Sequence, residues 1–147
     1  MRVAIASDHA GFALKTELVG ALVELKVDFD DLGTNDTASV DYPDYAKKVA
    51  AAIVGKQADL GVLCCGTGIG MSITANKVHG IRAAVCSTEF EARAARNHND
   101  ANVVCLGQRV TGGGVARGIL EEFLKAQFEG GRHAKRVGKI LELEKTY

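Results

Sequence analysis

The stretch Leu60-Gly61-Val62-Leu63-Cys64-Cys65-Gly66-Thr67-Gly68-Ile69-Gly70-Met71-Ser72 decides how this chain folds. Its first half is a continuous apolar run with no polar alternation, the pattern of a strand covered on both faces. Glycines at 66, 68 and 70 then break the run, and the residues from 70 to 77 have helical period. A buried strand, a glycine turn and a helix, in that order, are the start of a parallel β-α-β crossover.

Four more short apolar runs lie outward from this one, at 2–6, 28–32, 81–85 and 102–106. Between them come stretches of helical period at 11–26, 45–55, 88–97 and 111–128. The alternation predicts a doubly wound α/β fold, a three-layer α/β/α sandwich of Rossmann-like kind around a five-stranded parallel sheet. The run Asp28-Phe29-Asp30-Asp31-Leu32 is too acidic for the middle of such a sheet and is expected at an edge. Gly130-Gly131 end the last core helix, and 132–145 reads as one more helix of mixed charge. A helix outside a closed sandwich needs something to pack on. It is expected to dock on a partner subunit, making the protein a homodimer or tetramer; the alternative is a solvated tail.

The 147 residues fit one domain, 1–147, with 130–147 as a C-terminal helical extension. Eighteen Lys and Arg balance eighteen Asp and Glu. That balance lacks the concentrated positive field that draws nucleic acid or an acidic membrane surface. A hydrophobic fraction of 47% against 24% charged excludes a disordered chain. The first residues reach Asp8 without the apolar core of an export signal, so a soluble, cytoplasmic protein is expected. Four cysteines in such a chain are thiols rather than a disulfide framework.

In open α/β sheets ligands bind where strands end at their carboxyl side. There stand Ser7-Asp8-His9-Ala10-Gly11, then Cys65 to Gly70, then Gly107-Gln108-Arg109. The glycine loop can aim several backbone N–H groups at one anion. It fits neither a nucleotide P-loop, lacking the Lys-Ser or Lys-Thr, nor a dinucleotide fingerprint. Taken alone it is also compatible with a plain tight turn. Cys65 at its mouth adds a thiol whose thiolate the helix end favours, a nucleophile or base, while Cys64, Cys86 and Cys105 read as core. A base beside an anion hole suits acyl transfer or proton abstraction next to a carbonyl. His98, in Asn97-His98-Asn99-Asp100, and His9 beside Asp8 are acid/base candidates, with a helix-end histidine and a turn-forming Asp as the plainer alternatives. His79 reads as a helix C-terminal cap. Arg132 and Arg136, four apart, share one helix face and can grip a phosphate dianion together, although basic residues on a terminal helix are often only solvated.

With these residues in hand, the chain resembles the ribose-5-phosphate isomerase B family, within a wider group that includes galactose-6-phosphate and allose-6-phosphate isomerases. The likeness rests on Ser7-Asp8-His9-Ala10-Gly11, Asp41-Tyr42-Pro43-Asp44-Tyr45, Cys65-Gly66-Thr67-Gly68-Ile69-Gly70, Ala75-Asn76-Lys77, Asn97-His98-Asn99, Leu106-Gly107-Gln108-Arg109 and Arg132-His133 with Arg136. It implies a cofactor-independent aldose-ketose isomerase interconverting D-ribose 5-phosphate and D-ribulose 5-phosphate through a cis-enediolate, with no metal. On that likeness Cys65 is the base between C2 and C1, the backbone of Gly66, Thr67, Gly68, Ile69 and Gly70 holds the enediolate, and Thr67 helps protons move between its oxygens. His98, aided by Asp8, opens the furanose; His9, Asn99, Arg109, Arg132 and Arg136 hold hydroxyls and phosphate, some across a subunit interface. One branch of the family uses a glutamate where this chain has Met71, so here the base falls to Cys65. A six-carbon phosphosugar substrate, a non-catalytic phosphosugar- or nucleotide-binding module, and a thiol redox protein are the competing readings, the last weakened by the absence of Cys-x-x-Cys.

Overall fold

The computed structural model describes residues 1–146. In chain order the elements are β1 (Arg2–Ser7), α1 (Phe12–Glu24), β2 (Asp28–Asp31), α2 (Tyr42–Val54), β3 (Leu60–Cys65), α3 (Ile69–Ala75), β4 (Ala83–Val85), α4 (Glu89–Asn99), β5 (Val103–Gly107), α5 (Gly113–Lys125) and α6 (Arg132–Leu143). The five strands form one parallel sheet in the order β2-β1-β3-β5-β4. The expected α/β/α sandwich is therefore present, and the acidic strand β2 is at an edge. Its charges are answered locally: the buried Lys15 Nζ lies 2.6 Å from Asp31, and Arg2 Nε donates to Asp30 at 2.7 Å.

Alternation along each strand sends successive side chains to opposite faces. Val62 and Cys64 pack with Leu18, Leu22, Val104 and Phe123 under α1 and α5. Leu63 and Cys65 pack with Val49, Met71 and Cys105 under α2 and α3. The adjacent pair Cys64-Cys65 thus serves both cores, one thiol to each.

Several boundaries differ from the sequence expectation for local reasons. Helix α2 begins three residues earlier than the apolar period suggests, because Pro43 in its first turn has the backbone angle a helix start wants. Strand β4 is shorter, since the Arg82 N–H is taken by the Asn102 side chain at 2.8 Å. Helix α4 begins on a reciprocal cap, with Thr88 Oγ1 accepting from Glu91 N and the Glu91 carboxylate accepting from Thr88 N. It runs through His98 and Asn99 before Asp100 ends it in a left-handed conformation, so His98 belongs to the last helical turn. The expectation for His79 is corrected: α3 stops at Ala75 with Asn76 as its cap, and His79 lies beyond in the turn before β4.

Helix α6 packs against α4 and reaches the turn before β4. Val137 and His133 face inward, and the Glu144 carboxylate accepts the Gly80 N–H at 3.0 Å. Ile140 and Leu143 on the same helix are exposed. Among the described residues no helix is long and apolar enough to cross a membrane.

Candidate active site

At the carboxyl ends of β1, β3 and β5 the backbone closes tightly. Asp8 N donates to the Cys64 carbonyl, and Asp8 Oδ1 accepts from Gly11 N at 3.0 Å, capping the short turn His9–Gly11. A Cβ on Gly11 would stand 2.4 Å from the Cys64 carbonyl, so only glycine lets this turn lie on β3. On the other side Gln108 N and Arg109 N donate to the carbonyls of Cys65 and Gly66, fastening the β5 loop to the β3 loop.

Cys65 sits between these flanks, 5% exposed, and its Sγ accepts the Gly68 N–H at 3.0 Å. Gly68 itself has φ +81°, a left-handed turn that aims its amide back at the sulfur. Thr67 is exposed at the tip, where its Oγ1 accepts from Ile69 N at 3.3 Å. The Arg109 guanidinium covers Gly66, with Nη1 3.2 Å from where a Cβ would be. His9 is held by a hydrogen bond from Val40 N to its Nδ1 at 3.2 Å, which leaves Nε2 to carry the proton in the neutral ring. Asp8, His9, Cys65 to Gly70 and Arg109 therefore form one cluster.

The other three cysteines are packing residues. Burial pushes Cys64 and Cys105 far up from the ordinary thiol range, and Cys86 up to about 12, so all three stay protonated at neutral pH.

His98, Asn99, Arg132 and Arg136 are elsewhere. In the β3–β5 ladder Cys65 pairs with Gly107 and Gly61 with Val103. His98 lies in the last turn of α4, which leads into the amino end of β5, whereas Cys65 is level with Gly107 at the carboxyl end, a strand span of about 13 Å away. Around it stand residues the sequence reading gave no role. The His98 and His133 rings stack with centroids 4.4 Å apart and planes within 9°. Glu129 Oε2 lies 4.0 Å from His98 Nε2 and 3.7 Å from His133 Nε2. The i,i+4 spacing of Glu129 and His133 was visible, but their approach to His98 is purely tertiary. Tyr42 was also missed; its ring lies over Gly70, where a Cβ would come within 2.8 Å.

Donor atoms of His98, Glu129 and His133 all fall within 4.8 Å of one another. Zinc bonds imidazole nitrogen close to the ring plane at about 2.0–2.1 Å. Two parallel rings cannot both present a nitrogen to one ion that way, so the trio as arranged does not fit a metal.

The family model described as Ribose/Galactose Isomerase matches residues 3–140. Ribose-5-phosphate isomerase B of Escherichia coli is 49% identical over 97% of this chain and 96% of that protein. The solved structure of Clostridium thermocellum ribose-5-phosphate isomerase B superposes with a TM-score of 0.99 at 52% identity, covering 100% of this chain and 99% of the other. The Mycoplasma genitalium ribose-5-phosphate isomerase B, solved with bound ribulose-5-phosphate, superposes at 0.94 with 43% identity, covering 99% and 97%.

Proposed function

The chain belongs to the ribose/galactose isomerase family, and on that premise we propose that it interconverts D-ribose 5-phosphate and D-ribulose 5-phosphate through a cis-enediolate, with Cys65 as the base. The observation that carries this reading is the Cys65 Sγ held 3.0 Å from Gly68 N inside a loop of backbone amides. A base beside fixed N–H donors is what proton abstraction next to a carbonyl needs, because the charge that develops on the two oxygens meets donors already in place. Met71, fully buried and unable to accept a proton, leaves Cys65 as the base of the loop.

The steps run as follows. His98 gives a proton to the furanose ring oxygen while Asp8 takes the proton of the C1 hydroxyl; the C1–O bond of the ring breaks and the aldehyde forms. Cys65 takes the C2 proton, the amides of Gly66 to Gly70 hold the enediolate, Thr67 passes a proton between its oxygens, and Cys65 returns its proton to C1. His9, Asn99, Arg109, Arg132 and Arg136 hold hydroxyls and phosphate. Charged hydrogen bonds from paired arginines suit a phosphate dianion.

Because Cys65 and His98 lie at opposite ends of one sheet, this mechanism requires two chains. A two-fold dimer, or a tetramer built from it, brings the Cys65 loop of one subunit to the His98 corner of the other and makes two equivalent sites. The exposed Ile140 and Leu143 on α6 are suited to such a contact.

The test is turnover of ribose, allose and galactose phosphates by the protein and its Cys65→Ser variant. Ribose 5-phosphate is expected to be the best substrate. The variant should lose at least about a thousandfold in kcat, the upper range for a general base, and still bind the phosphosugar. Near wild-type turnover by Cys65→Ser would overturn the mechanism.

A further inference from the structure

Two side chains that none of these steps uses close around His98. Glu129 N donates to the Asn97 carbonyl at 3.0 Å, which ties the linker before α6 to the helical turn that carries His98. From the next turn His133 lays its ring flat on the His98 ring, 4.4 Å between centroids. The Glu129 carboxylate oxygen stands 4.0 Å and 3.7 Å from the two Nε2 atoms.

The pair is asymmetric. The His98 side chain is 44% exposed and the His133 side chain 9%. Two imidazoles stacked beside one carboxylate compete for a proton, because two cations at this separation repel. His133 is the poorer holder: burial, the charge of His98 on α4, and Arg132 and Arg136 on α6 push its pKa down, and only Glu129 pulls it up. The buried inner ring is therefore the one kept neutral, and the outer ring is the one that can meet a ligand. A flat neighbour also fixes the plane of an imidazole that is otherwise free to turn.

Resting on the reading of His98 as the ring-opening acid, we propose that His133 and Glu129 are its positioning residues: His133 sets the plane of the His98 imidazole, while Glu129 supplies the counter-charge of the imidazolium. Their contribution falls on the ring step and leaves proton transfer at Cys65 untouched.

That separation gives the experiment. Full-length protein is supplied with ribulose 5-phosphate in deuterium oxide, and NMR follows two quantities: deuterium entering C1 of the remaining ketose, and ribose 5-phosphate formed. When the ring step is impaired, the open-chain intermediates return to ketose more often, and the ratio of exchange to product rises. His98→Asn is expected to raise the ratio about tenfold, and His133→Ala and Glu129→Gln about threefold each, fractions of a general-acid effect. His133→Phe, which keeps a flat ring in the stack, should recover part of the His133→Ala change.

Glu129 is 54% exposed, so Glu129→Gln tests the proposal even if His133→Ala fails to fold. If His98→Asn raises the ratio while Glu129→Gln and the His133 variants leave it at the wild-type value, the positioning roles are overturned and the reading of His98 stands. Equal falls in exchange and product would mean the stack only packs α6 on α4, and would overturn the proposal too. An unchanged ratio in His98→Asn would remove the ring-opening role itself and the proposal with it.

Discussion

The Cys65 loop and the His98 corner are built on opposite plans. Around Cys65 the geometry comes from the main chain: a left-handed glycine, carbonyls of β3 taken by N–H groups of the neighbouring loops, and glycines that admit backbone against backbone. Around His98 it comes from long side chains on the ends of two helices, with Arg132, Arg136 and Glu129 exposed. Main chain locked into a parallel sheet does not reorganise when charge develops, so it suits stabilisation of an intermediate. Side chains on helix ends can adapt to a sugar phosphate, and they acquire fixed positions once another surface covers them.

The sharpest way to break this contrast is complementation. Cys65→Ser, nearly inactive, and His98→Asn, impaired in the ring step, should regain activity when unfolded together and refolded as a mixture. Random pairing puts half of the dimers in mixed form with one intact site of two, so about a quarter of wild-type activity is expected. No recovery in a mixture shown to contain mixed dimers would place both residues in one chain's site and contradict the separation along β3 and β5.

A smaller effect is expected from the main chain that supports the loop. A Cβ on Gly107 would stand 2.7 Å from the Thr67 backbone, so Gly107→Ala must displace the loop tip. Turnover should fall by at least about tenfold, with stability lowered by about 1–3 kcal/mol, the usual cost of overpacking; unchanged kcat would mean the loop tolerates movement.

At the other corner Arg136→Ala should raise KM about tenfold, one charged hydrogen-bond partner removed from phosphate. It should leave kcat nearly unchanged, because phosphate is gripped alike in ground and transition states. An unaltered KM would mean that Arg136 makes no contact with the phosphate.

The mildest probe is thiol labelling. Burial raises the pKa of Cys86 to about 12, so at pH 8 its thiolate fraction is about one in ten thousand, and Cys64 and Cys105 are held higher still. Each unit of rising pH multiplies these fractions only tenfold. Iodoacetamide is therefore expected to modify Cys65 first and alone in the native protein, as mass spectrometry of digests would show. Early modification of Cys64 or Cys105 would mean the β3 end opens readily.

The loop half was legible along the chain because its parts are neighbours in sequence or lie at the ends of strands, and the carboxyl ends of a parallel sheet converge by rule. Cys65 could be told from Cys64 by strand alternation alone. Tyr42 over Gly70, by contrast, brings α2 against α3, and nothing local to either segment announces it. The stack of His98 on His133 is hidden in the same way, since thirty-odd residues and the whole of α5 lie between them. His79 was misplaced for a different reason: the residues after Ala75 keep a helical look, but Asn76 turns to hydrogen-bond the backbone of Ala83 and ends the helix.

What the sequence determined by itself was the succession of strands and helices along the chain and the acidic edge strand. Each of these follows from local periodicity, charge or spacing, which short-range physics can read. Only the tertiary structure decided that Cys65 and His98 stand at opposite ends of one sheet, and that His133 and Glu129 surround His98. A parallel crossover returns every helix to the amino end of the next strand, and no local property of the chain states how far that return carries a side chain from the loops at the carboxyl ends.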